Sequence, residues 1–515
     1  MKLIRNVLLV IADQWRGDSI ACWGHPDVKT PHLDAFAAEA MSFQRHHAQA
    51  APCGPSRASL LTGLYLMNHR QVSNETPLPA SIPTLAHLVS DSGRSPVLFG
   101  YTDTPNDPDK RTQLQPWVCP GFETRTGFFY HDGFGAWRDW LQENGVEIEL
   151  GDDPESIFLP KGGYDPAAPD APCQYPAEFS DTAFMFGAAR DYISEMGDQP
   201  WFVNLNCLRP HPPMVAPEPY NQLLDPANLS IPARHQSPTQ VADSHPFLAA
   251  SLSAYGAKRY FRHDLAPDEV TDIHDRTMRA AYYGNMAEVD DKFGALIAEL
   301  KANGQYDDTL IIFTSDHADQ LGDNWIYGRR GPFPGLFHVP LMIRDPRHPV
   351  SHGTQSSEFT ETIDVLPTIA DAIGQPTPQC DGHSLSGFLQ GNPPANWREH
   401  TVWEADFREL RLNLDLAHLL PEQVDDCCFS ALMSRDWLYI HFPAQPALLY
   451  DLNADPHCQC NLAEDPVHAA DLATCAQALL SHRIKHTPKQ LSDYWLPYAT
   501  SGKAQKIWNT GGDAC

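Results

Sequence analysis

Two apolar runs in this chain stop at residues that bind cations. Asp13 and Gln14 follow NVLLVIA (6–12), and Asp316 and His317 close DTLIIFTSDH (308–317). If both runs are strands of one open sheet, ligands bind beyond their carboxyl ends, and these four side chains converge there. Carboxylate and amide oxygens favour calcium, magnesium or manganese, and one imidazole moves the balance towards manganese. For a single strand end, Asp and His are more often caps or turn formers. Two such ends in one chain favour the metal. A third stretch is AAPCGPSRASLLTGLY (50–65). Pro55 fits the first turn of a helix, which places residues 53–57 where backbone N–H groups attract anions. A cysteine there is expected to have a lowered pKa, and Arg57 one turn on can aim its fork at the same anion. The plain alternative is a buried thiol at a helix start.

The elements that must position these residues alternate. Helices are expected over 30–46, 81–93, 179–197, 276–304 and 359–374, with strands at 6–12, 95–101, 200–208 and 308–316. Such alternation predicts an α/β fold, a large mostly parallel sheet sandwiched by helices, over residues 1–390. Beyond about 390 the texture changes to short strands and one covering helix. A smaller α+β domain with an antiparallel sheet is expected over 391–515. Two middle loops, 105–175 and 209–275, are long and rich in Pro, Asp and His, a setting that tends to carry function.

Charge narrows the function. Acidic residues outnumber basic ones 65 to 36, a formal net charge of -29. No long basic cluster offers a face to nucleic acid or an anionic membrane. An anionic substrate would need a local positive site. No stretch has the length of a membrane span, and the N-terminal run lacks the small-residue cleavage site of a signal peptide. A cytoplasmic location is the expectation, with the 12 cysteines mostly as thiols.

The segment CGPSRASLLTGLY resembles the sulfatase signature, Cys/Ser-x-Pro-x-Arg followed by an apolar LLTG run. NVLLVIADQWRGD, LTGLYLMNHRQVSN, GYTDT, NCLRPHPP, LIIFTSDHADQLGD, FTETIDVLPTI and YDLNADPHCQCNLAEDP extend the likeness over nearly the whole chain, in order. The chain is similar to the sulfatase branch of the alkaline phosphatase superfamily, and within it to phosphonate monoester hydrolases and dimeric bacterial arylsulfatases. The resemblance implies one divalent metal, calcium or manganese, held by Asp13, Gln14, Cys53, Asp316 and His317. It implies that Cys53 is oxidised by a formylglycine-generating enzyme to an aldehyde whose hydrate is the nucleophile. One hydroxyl attacks sulfur or phosphorus; the second, once deprotonated, expels the product and restores the aldehyde. His211 in RPHPP matches the family's leaving-group acid, or the base for the hemiacetal step. Asn74, Tyr101 and Arg57 match groups that hold the non-bridging oxygens. A homodimer or homotetramer, joined through loops and a tail from about residue 490, is implied as well.

Two positions depart from that pattern. Asp103 stands where phosphonate hydrolases have Thr, and Arg329 where the family has Lys; Arg keeps the charge and adds bidentate geometry. Asp103 would either pair with Arg329 or Arg330, or recognise a cationic or hydroxylated leaving group. Gln14, as in the phosphonate hydrolases, removes one negative charge from the metal site. The expected activity is hydrolysis of sulfate monoesters, with promiscuity towards phosphonate monoesters and phosphodiesters. Three alternatives stand beside it: a phosphonate monoester hydrolase or phosphodiesterase as the main activity, a phosphotransfer enzyme using an unmodified thiol, and a non-catalytic metal binder.

Overall fold

The structure, a computed structural model, describes residues 3–488 except 75, 106–117, 166, 235–236, 255–256, 413 and 415, together with residues 494–495 and 505–506. Thirteen strands form its two main sheets. They are β1 (Asn6–Ala12), β2 (Met41–His47), β3 (Ala50–Ala51), β4 (Pro96–Gly100), β5 (Glu123–Gly127), β6 (Phe202–Cys207), β7 (Thr309–Thr314), β8 (Leu341–Arg344), β9 (Gln355–Glu361), β10 (Thr401–Asp406), β11 (Cys428–Met433), β12 (Trp437–His441) and β13 (Leu448–Asp451).

Eight of them make the large sheet in the order β5-β4-β6-β1-β7-β8-β2-β9. All neighbours run parallel except β8, which is antiparallel to both β7 and β2. β1 lies at its centre, and every residue of NVLLVIA is buried. Leu8, Val10 and Ala12 face one apolar layer while Val7, Leu9 and Ile11 face the other. A strand covered on both faces has no polar side to show, which is why it reads as one continuous apolar run. The helix Asp272–Ala302, 31 residues long, packs on the first layer. Val365–Ile373 packs on the second.

Three of the expected helices are shorter than their patterns: that expected over 81–93 spans Leu85–Asp91, with Thr84 as its cap. The segment 30–46 forms a helix only over Pro31–Ala37 and then turns into β2. Residues 359–361 belong to β9, and the helix begins at Val365. In these last two cases a strand at or next to the sheet edge takes up residues whose apolar spacing also fits a helix. β8 was not legible as a strand at all, being only four residues long.

The second sheet has the order β13-β12-β11-β10-β3. β10 to β13 are antiparallel and the helix Ala469–Lys485 covers one face through Cys475 and Leu479. Its fifth strand comes from the other end of the chain: β3 pairs with Glu404 and Ala405 just before Cys53. The smaller sheet therefore grips the entry to the reactive segment directly. No helix among the described residues is long and apolar enough to cross a membrane. Every cysteine among the described residues is a free thiol. Most of the tail beyond 490 lies outside the described residues, as does part of the first long loop.

Candidate active site

β4, β6, β1 and β7 are consecutive, parallel neighbours, so the residues that follow them meet at one edge. Ile11 pairs with Asn206 on one side and Thr314 on the other, which sets Asp13 beside Asp316. Gly100, at the end of β4, has φ 101° and packs so closely on the Asn206 carbonyl that no Cβ would fit. That approach delivers Tyr101 and Asp103.

Cys53 opens the helix Cys53–Thr62, whose residues are all buried. Asn74 Oδ1 accepts from the Gly54 N–H at 2.9 Å, and Ser56 Oγ donates to the Asp316 carbonyl at 2.5 Å. These bonds satisfy groups at the helix start and fix it to β7. A Cβ on Gly54 would stand 2.5 Å from the Asp103 carbonyl and 2.8 Å from Gln71 Nε2, so only glycine fits there.

Asp13, Cys53, Asp316 and His317 each offer one ligand atom, all within 4.8 Å of one another and all buried. Cys53 Sγ lies 3.2 Å from His317 Nε2 and 3.9 Å from Asp13 Oδ1. The Nδ1 of His317 sits 2.9 Å from the Ala318 carbonyl, which leaves Nε2 facing the cluster, as in metal-binding histidines. Gln14 holds a left-handed backbone (φ 69°), and its amide nitrogen donates to Asp319 and, at 3.2 Å, to Tyr260. The Gln14 backbone N–H donates to Asp316 Oδ1 at 3.2 Å.

Arg57 ties the carboxylates together. Nε donates to Asp316 Oδ2 at 2.8 Å and Nη2 to Asp13 Oδ2 at 3.0 Å. Nη1 donates to Asn206 Oδ1 at 2.9 Å and the Tyr101 carbonyl at 3.2 Å, and the Tyr101 ring stacks 4.4 Å from the guanidinium. Every guanidinium nitrogen thus donates to the protein, and Arg57 braces the two carboxylates. Tyr101 OH donates to Asp13 Oδ2 at 2.5 Å. Burial and then Asp316 push the Asp13 carboxyl up, against Arg57 and His317. Burial also works against the Asp316 charge, but Arg57, His317 and backbone N–H groups outweigh it and hold that carboxyl low. Two buried carboxylates share one guanidinium, and a cation fits the remaining charge.

Burial and the nearby Asp13, Asp316 and Asp103 raise the Cys53 thiol well above its ordinary range, against Arg329. This corrects the lowered pKa expected at a helix N-terminus: desolvation and like charges outweigh the helix dipole. Arg329 Nη1 lies 2.9 Å from Cys53 Sγ and 3.2 Å from His211 Nε2. Burial opposes its charge, but the nearby Asp13, Glu409 and Asp103 carboxylates outweigh it and keep it protonated. The Nδ1 of His211 is 2.6 Å from the Pro212 carbonyl. Burial, Arg259 and Arg329 push its pKa well down, so its ring is neutral near pH 7.

Asp103 is half-buried, has φ 48°, and burial pushes its carboxyl up to about 6. Its backbone carbonyl accepts from Gln71 at 2.9 Å. The expected ion pair is not formed among the described residues. Arg330 turns instead to Glu409 at 3.2 Å and the Ala254 carbonyl at 3.3 Å. Sequence reasoning missed Asn206, Gln71, Tyr260 and Asp319. Asn206 and Asp319 sat in view, as polar residues within NLNC and DHADQ.

The α/β sheet brings a buried Asp, Asp, His and Cys set to its carboxyl edge, where such sheets bind ligands, and the donor set fits a divalent cation. The sulfatase family profile matches residues 5–375, and that of the N-sulphoglucosamine sulphohydrolase C-terminal region matches 322–485. The chain belongs to the sulfatase family. It is 38% identical to the multifunctional alkaline phosphatase superfamily protein PehA of Trinickia caryophylli, over 95% of this chain and 97% of that one. It is 29% identical to a choline-sulfatase of Rhizobium meliloti, over 91% and 84%. The phosphonate monoester hydrolase of Agrobacterium radiobacter has the same fold, with a TM-score of 0.90 at 38% identity, covering 98% of this chain and 99% of that one.

Proposed function

We propose that the chain hydrolyses sulfate monoesters, and phosphonate monoesters and phosphodiesters at the same centre, with a formylglycine made from Cys53. The observation that carries this is the convergence of Cys53, Asp13, Asp316 and His317 within 4.8 Å, under Arg329 and His211. A divalent cation, calcium or manganese, held by Asp13, Asp316, His317 and Gln14 would lower the pKa of the nucleophile's hydroxyl and offset charge in the transition state.

The protein's own groups supply the rest. Arg329 stands against the nucleophile position and stabilises charge on the transferred group. His211 is neutral and anchored through Nδ1, so Nε2 accepts a proton. Of the two roles implied for it, the base of the product-releasing step fits this state. The intact ligand set speaks against a non-catalytic metal binder.

Phosphonate monoesters as the main substrate form a second reading, supported by Gln14 and by the phosphonate monoester hydrolase of similar fold. A panel of aryl sulfates and aryl phenylphosphonates, assayed on protein made with a formylglycine-generating enzyme, tests both. Hydrolysis of neither class sinks the proposal, and the larger kcat/KM names the main activity. The proposal extends to a separate C-terminal unit over 391–515, its tail at a dimer or tetramer interface, and a cytoplasmic location.

A further inference from the structure

Behind His211 lies a buried charged cluster that the proposed reaction does not touch. Arg209, two residues past the end of β6, is fully buried. Its Nη1 donates to the His211 carbonyl at 3.1 Å and the Pro213 carbonyl at 3.0 Å, clasping both ends of the turn that carries the imidazole. The guanidinium is itself held from behind. Asp181 Oδ1 lies 3.6 Å from Nε, the Phe158 ring stacks 4.5 Å away, and the Tyr175 hydroxyl sits beside it without a hydrogen bond. Asp181 is the first residue of the helix Asp181–Met196, and Ser180 caps that helix through the Ala183 N–H at 3.0 Å. Glu288 on the long helix faces the same space. Burial and Asp181 push it up to about 8; burial raises Asp181 as well, against Arg209, and Asp181 is the carboxylate within ion-pair range of that guanidinium.

Such a pair is a poor source of stability. Both charges are stripped of water, and a well-packed apolar substitute is often as stable or more so. What an apolar substitute could not do is donate to two carbonyls of the His211 turn. We infer that Arg209 and Asp181 are positioning residues: Asp181 orients Arg209, and Arg209 fixes the turn so that His211 Nε2 faces Arg329 and the nucleophile. This rests on the role proposed for His211 as the base of product release.

Pre-steady-state kinetics on the formylglycine-bearing enzyme test it, with 4-nitrophenyl sulfate and 4-nitrophenyl phenylphosphonate as probes. Asp181→Asn and Arg209→Lys should release a burst of about one phenol per site and then turn over about 10- to 100-fold more slowly than the unmutated enzyme. His211→Ala should do the same, and Asp181→Asn added to His211→Ala should cost nothing further, because residues acting as a unit are not additive. Tyr175→Phe, which keeps the ring, guards against loss of the fold and should show a smaller slowing with a full burst. Burst and turnover falling together would reveal missing sites, and multiplying losses would reveal independent action; either overturns the inference, as does unchanged turnover. Failure of the unmutated enzyme to hydrolyse either probe would instead overturn the function on which the inference rests.

Discussion

Arg329 and Cys53 are in direct contact: Nη1 lies 2.9 Å from Sγ in a buried site, and the same nitrogen is 3.2 Å from His211 Nε2. A fixed cation against the nucleophile position is preorganised for charge that develops in transfer. Arg329→Ala should lower kcat/KM by about 10²–10³-fold. Arg329→Lys should recover part of that loss, because it keeps the charge and loses the fork. Steady-state assays on one sulfate and one phosphonate ester check this. Equal activity of the Ala variant and the parent would remove Arg329 from the reaction.

Arg57 is predicted to matter first for stability. Arg57→Met leaves Asp13 and Asp316 facing each other in the interior, and breaking a buried pair in this way costs about 3–5 kcal/mol. Urea unfolding in the presence of a chelator measures the loss. Added calcium or manganese should restore part of it, by replacing the missing positive charge. An unchanged midpoint in chelator would mean that Arg57 does not brace the carboxylates.

Metal binding should show in the unmutated protein as well. A ligand that binds only the folded state adds about 2.7 kcal/mol at about 100 times its Kd. Thermal melts with and without calcium and manganese should therefore separate. Asp13→Asn and His317→Ala should each collapse the difference. A cation-dependent shift that survives both substitutions would place the cation elsewhere.

Buried neutral histidines set an acid limit that the active site does not control. Burial lowers His46 and His69 from an ordinary 6.5 to about 3. Their folded pKa lies below the unfolded one, so the stability they contribute is complete above about pH 6.5. It is lost as pH falls towards 3, because the unfolded chain takes up protons that the folded chain refuses. Each histidine adds up to about 1.4 kcal/mol per pH unit to that slope. His69→Gln should be less stable at pH 7 but lose less between pH 7 and pH 5 than the parent. Parallel urea midpoints across that range would contradict this.

The parts of this site that were legible in the sequence are those fixed by the chain locally. Asp13 and Asp316 could be placed because β1 and β7 are covered on both faces, and such strands announce their ends. The helix start at Cys53 was legible from Pro55. The state of the Cys53 thiol was not, because it depends on burial and on Asp13, Asp316 and Asp103 arriving from three other segments. The engagement of Arg57 by Asn206 and Tyr101 depends on the register of β4 and β6, which no single segment encodes. The pattern of AFAAEAMSFQRH fits a helix, and β2 takes the strand form only because β8 and β9 supply partners. The link of β3 to β10 joins residues some 350 positions apart and has no local signal at all.

The central claim concerns the chemical state of residue 53, and mass spectrometry of the peptide spanning Cys53–Arg57 tests it most directly. In protein made alongside a formylglycine-generating enzyme, that peptide should lose one sulfur and two hydrogens and gain one oxygen. The fraction converted should track specific activity, and Gly54→Ala, whose Cβ would press on the Asp103 carbonyl, should lower activity even where conversion is complete. An intact thiol in fully active protein, with activity abolished by alkylating it, would contradict the account.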